Sequence, residues 1–115
     1  MATPLADRSC VVCKPGTPTL RDDQVDAYLR ELSPDWNVAE VDGHGQLTRR
    51  FHFKGFMPGV ELVNRIAALA EAEGHHPDLR LAYGTLTVDL WTHAAGGLTD
   101  NDFVLAAKID RIPPP

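Results

Sequence analysis

The stretch PGVELVNRIAALAEAEGHHPDLRLAYGTLTVDLW, from Pro58 to Trp91, sets the architecture of the chain. In its first half, and from Phe56 just before it, apolar residues recur at Val60, Val63, Ile66, Ala67 and Ala70. These three- and four-residue steps are those of a helix with one buried face. Pro58 suits an early helical position, where its missing N–H leaves no bond unmade, and Gly74 can take the left-handed conformation that ends a helix. In the second half the period changes. Leu86, Val88 and Leu90 alternate with Thr87, Asp89 and Trp91, as in a strand with one apolar and one polar face. PDLRLAY and TLTVDLW, folded about Gly84, make a hairpin.

Downstream of this unit, Thr99 with Asp102 three positions on opens a last helix, DNDFVLAAKID. Upstream, WNVAEV and QLTRRFHF read as strands joined by DGHG, whose glycines and Asp42 favour a tight reversal. Before them LRDDQVDAYLREL has apolar residues at near-helical spacing, with Thr19 and Asp22 as its expected capping pair, and Ser33-Pro34 ends it. The order helix, hairpin, helix, hairpin, helix predicts an α+β domain, a four-stranded mainly antiparallel sheet with three helices packed on one face. We expect it to span residues 19–112, between a flexible N-terminal arm (1–18) and a proline tail (113–115). Four short strands covered on one side leave two edges and a second face open, which predicts at least a homodimer.

A chain of 115 residues with 43% hydrophobic and 23% charged residues matches one ordinary globular domain. Folding at this size buries roughly two-thirds of the unfolded surface, which favours a surface cleft or a subunit boundary over an enclosed cavity as the site. The formal net charge of -5 offers no long-range attraction to phosphate backbones or anionic lipid, so nucleic acid and membrane surfaces are not expected partners. No apolar run approaches the roughly 20 residues a bilayer requires, and Met1 to Thr19 lacks the pattern of a secretory signal. A cytoplasmic location is therefore expected.

Two features bear on chemistry. Cys10 and Cys13 form one C-x-x-C, without the four ligands of a structural zinc site or the strand-to-helix setting of a redox pair. They read as incidental thiols in the arm, with a disulfide or a zinc ion shared between subunits as the other readings. His75 and His76 are adjacent, and His93 follows seventeen residues after His76. Pro77 biases His76 to extended backbone, so the neighbouring rings should diverge. No H-E-x-x-H or comparable ligand spacing is present, and no metal is expected. Cations at a helix C-terminus would explain the first two histidines but not the third. Imidazoles, with an unperturbed pKa of about 6.5, can give and take protons at neutral pH without metal, nucleophile or cofactor.

Glu71, Gly74 to Pro77 (GHHP), Tyr83, His93, Asp102 and the ending GLTDNDFVLAAKID resemble the pterin-4a-carbinolamine dehydratase family in order and spacing, from about Thr19 to Ile112; Trp36 matches too. The resemblance implies dehydration of a 4a-hydroxytetrahydropterin such as 4a-hydroxytetrahydrobiopterin, formed when aromatic amino acid hydroxylases use tetrahydropterin, to quinonoid dihydropterin, by a dimer or tetramer with no cofactor. It implies that His75, His76 and His93 are the acid/base set. It also implies that Glu71, Pro77, Trp91 and Asp102 lie beside the substrate. Helix capping is an equal reading for Asp102, as strand packing is for Trp91. Gly74 stands where some relatives have an acidic residue and Asn101 where some have a basic one, both bearing on substrate affinity. Family members also serve as dimerisation or assembly partners of other proteins, a transcriptional coactivator-like role, which is the alternative reading.

Overall fold

The computed structural model describes residues 3–113; the expected proline tail beyond Pro113 lies outside the described residues. Its elements are α1 (Asp22–Leu29), β1 (Asn37–Val41), β2 (His44–His52), α2 (Met57–Glu73), β3 (Asp78–Ala82), β4 (Thr85–Leu90) and α3 (Asp100–Asp110), preceded by a short 3-10 turn at Leu5–Asp7. All strand pairings are antiparallel and the sheet order is β1-β2-β4-β3, so the last strand in sequence is central. This is the α+β architecture expected, with three helices and four strands in the predicted order.

The pairing register explains the two faces. Leu47 faces Leu90, Phe51 faces Leu86, and Leu79 faces Val88, which puts one apolar row under the helices. Leu47, Ile66, Leu86, Val88, Leu90, Phe103 and Leu105 are fully buried in that core, each contributing about 1.5–3 kcal/mol. Residues offset by one along each strand point the other way: Thr48, Asp89 and Asp78 share a row on the second face. Asp89 is buried there, and its carboxylate is satisfied by Thr48 Oγ1 at 2.6 Å and Arg80 Nη2 at 3.2 Å.

Two turns set the direction of the chain around the site. Asp42 and Gly43 both have positive φ (50° and 84°), which gives a two-residue reversal and lets β2 begin at His44, inside the segment read as a loop. Gly74 caps α2 at φ 66° and turns the chain back toward α3. The first helix departs from expectation at its start. Arg21 is the N-cap and its N–H donates to Gln24 Oε1 at 2.9 Å, so the capping pair is Arg21 with Gln24 and not Thr19 with Asp22.

The segment expected to be a flexible arm packs against the body. Leu5 is 1% exposed within the core cluster, and the 3-10 turn lies on α3. Further along, the Cys10 N–H donates to Glu73 Oε1 at 2.8 Å. A proline-rich composition carries no local signal for such contacts, which are made with residues far along the chain.

Candidate functional site

The cleft forms where the C-terminus of α2 meets the N-terminus of α3. After the left-handed Gly74, the two imidazoles take partners on different helices. His75 Nε2 donates to Asp102 Oδ1 of α3 at 2.6 Å, and His76 Nε2 pairs with Glu71 Oε2 of α2. The settings differ in solvent. The side chains of His75 and Asp102 are 11% and 0% exposed, whereas those of His76 and Glu71 are 60% and 76% exposed. The first pair is therefore rigid and desolvated, while the second is screened by water.

Asp102 owes its place to the helix start. It is the third residue of α3, and its Oδ2 accepts the N–H of the N-cap Thr99 at 3.0 Å and the hydroxyl of Thr92 at 2.9 Å. Thr92 and Thr99 share a further bond at 2.7 Å. A fully buried carboxylate is thus met by three donors, one of them the ring of His75. With the carboxylate as acceptor, that bond calls for a proton on Nε2, while Nδ1 has no partner among the described residues.

His93 follows β4 on an exposed turn, its ring 3.7 Å from that of Trp91. On the other side of Trp91 lies His44 at 3.8 Å, stacked nearly parallel. The strand ends at Leu90, so Trp91 is not a strand residue as the sequence suggested but a half-buried plate between two imidazoles.

His75, His76, Pro77, Trp91 and His93 line one cleft of about 410 Å³. Glu71 does not line it and reaches it through His76; Asp102 lies behind His75. Tyr83 is 79% exposed on the β3–β4 turn, outside the cleft. Sequence reasoning missed Val11, Val12 and Cys13, which also line the cleft, as does Asn101, singled out there for substrate affinity. Burial, and then the neighbouring Glu73 carboxylate, push the Cys10 thiol up to about 12, so this cysteine is a neutral packing group at physiological pH. Among the described residues no three His, Cys, Asp or Glu side chains converge as a metal-binding group.

Fold and cleft together define a small α+β domain that gathers imidazoles and carboxylates at the meeting of two helix ends. The chain belongs to the pterin 4 alpha carbinolamine dehydratase family, whose model matches residues 18–112. A Rickettsia bellii protein provisionally named a pterin-4-alpha-carbinolamine dehydratase is 46% identical over 108 residues, covering 94% of this chain and 93% of its own. One from Syntrophotalea carbinolica, named in the same way, is 40% identical over 108 residues, 94% of this chain and 96% of its own. Among solved structures, a transcriptional coactivator/pterin dehydratase from Brucella melitensis aligns with a TM-score of 0.70 at 34% identity, covering 79% of this chain and 94% of that one. A pterin dehydratase-like RuBisCO assembly factor of the alpha-carboxysome shares the fold, with a TM-score of 0.55 at 23% identity over 66% of this chain and 86% of its own.

Proposed function

We propose that the protein is a hydro-lyase that dehydrates a 4a-hydroxytetrahydropterin, in the recycling of tetrahydrobiopterin beside an aromatic amino acid hydroxylase. The observation that carries this reading is the opening of His75, His76 and His93 into a single cleft. In the reaction the bond from C4a to the hydroxyl breaks and a double bond forms between C4a and N5. One imidazole gives a proton to the departing oxygen and another takes the proton from N5, so water leaves and the proton balance closes. Each transfer contributes on the order of 10²–10⁴-fold. His75, oriented by Asp102, offers Nδ1 for one transfer; His93 and His76 supply the other, with Glu71 holding His76. Trp91 and Pro77 would flank the planar ring, since an indole face suits an aromatic substrate. No cofactor or metal is required by this scheme, and we place the reaction in the cytoplasm, in a homo-oligomer.

The alternative, a non-catalytic dimerisation or assembly partner, draws on the names of two solved relatives. A purely structural role would not require three imidazoles at one opening, which favours the dehydratase. The test is dehydration of a synthetic 4a-hydroxytetrahydropterin followed by ultraviolet absorbance. We expect His75→Ala and His93→Ala each to slow it by about 10²–10⁴-fold with the fold intact; unchanged turnover in both variants would remove the acid/base scheme.

A further inference from the structure

The family match begins at residue 18, yet Val11, Val12 and Cys13 line the histidine cleft. Their backbone is pinned there. The Val11 N–H donates to Asn101 Oδ1 at 2.9 Å, and Asn101 Nδ2 donates back to the Val11 carbonyl at 2.6 Å. Asn101 imitates a neighbouring strand, and because it is only 4% exposed the two bonds are made out of water and hold the segment in one register. It is also adjacent to Asp102, so one helical turn locates both this wall and His75.

The side chains so presented serve no core. Val11 is 69% and Val12 92% exposed, two of the large apolar groups left open on this surface, in the lining of the histidine cleft. Leu5, Ala6 and Cys10 already fasten the arm to the core. We propose that Val11–Cys13 form a substrate-contacting wall of the cleft, with Val11 and Val12 as specificity-determining residues that pack on an apolar part of the pterin and Asn101 as their positioning residue. This rests on the pterin reading of the site. It assigns to the arm a selection among pterins that the histidines, which address only C4a and N5, cannot make.

The test pairs kinetics with a thiol footprint. In Val11→Ser/Val12→Ser, KM for the 4a-hydroxytetrahydropterin should rise about 10-fold while kcat stays within about twofold, the signature of lost binding without lost chemistry. Separately, Cys10→Ser leaves Cys13 as the one thiol, and a tetrahydropterin lacking the 4a-hydroxyl should slow its alkylation by iodoacetamide about fivefold or more, as bound ligand excludes reagent. Turnover with unchanged KM and no protection of Cys13 would overturn the wall while leaving the dehydratase reading. Protection without turnover in the unmodified protein would support the wall and remove the dehydratase reading; absence of both removes both.

Discussion

Asp102 and His75 are joined by a 2.6 Å hydrogen bond between a helix-capping carboxylate and an imidazole of the cleft. The same side chain therefore closes the first turn of α3 and orients an imidazole that lines the cleft. Asp102→Asn keeps the shape but turns an N–H donor toward His75 or gives up the cap. It should lower kcat by about 10²–10⁴-fold. Asp102→Ala strands the donors of Thr99, Thr92 and His75 and should cost about 2–4 kcal/mol of stability. Urea melts of the two variants beside their kinetics separate the roles, and equal loss of stability in both would argue against a distinct part in catalysis.

Alkaline stability should report on Cys10. Its folded pKa is raised from 9.0 to about 12, so between these values the folded protein keeps a thiol proton that the unfolded chain has lost. Unfolded chains then bind fewer protons, and stability falls as pH rises through that window. With the partial exposure of this thiol discounted, the loss should be about 1–2 kcal/mol between about pH 9 and pH 11. Cys10→Ala should show a shallower decline of urea midpoint over that range; parallel slopes would mean the shift is absent.

Dehydration should be indifferent to chelators. His75 and His76 bond to carboxylates on different helices, a poor arrangement for two ligands of one tetrahedral ion. Assays with and without an excess of EDTA should agree, and activity lost to chelator and regained with zinc would reverse this expectation.

Assembly depends on the sheet order. β1 and β3 are the edges, and each presents unpaired backbone groups on its outer side. Val38 on β1 is 41% exposed, an apolar group on one of those edges. We expect a twofold homodimer at least, measured by light scattering after size exclusion. A monomeric mass at micromolar concentration with full activity would show that neither stability nor catalysis needs a second copy.

What the sequence made legible was what local chemistry dictates. Gly74 ends α2 because the left-handed turn favours glycine, and Thr99 with Asp102 marks α3 because a capping pair has a fixed spacing. The start of α1 is ambiguous in sequence because Thr19 and Arg21 both precede acceptor side chains three residues on; in the fold the Leu20 N–H goes to the distant Leu98 carbonyl and Arg21 caps the helix. Asn101 reads in sequence as a change in substrate affinity, but its bonds go to Val11, 90 residues away. His44 gives no sequence signal for a similar reason. Its stacking on Trp91 depends on the β2–β4 register, which no short window of sequence contains.

The central place of β4 has a consequence for how the molecule is made. The hairpins β1–β2 and β3–β4 can each close from nearby residues, but they become one sheet only when β2 meets β4, with Leu47 against Leu90. As the chain leaves the ribosome, the first hairpin must wait, its apolar row open, until the second has emerged. His93 and Asp102 come later still, behind the last strand. A nascent chain therefore passes through no stage with a partly built cleft. Until α3 can pack, the apolar row stays open to aggregation, and the core and the histidine cleft are completed in the same step.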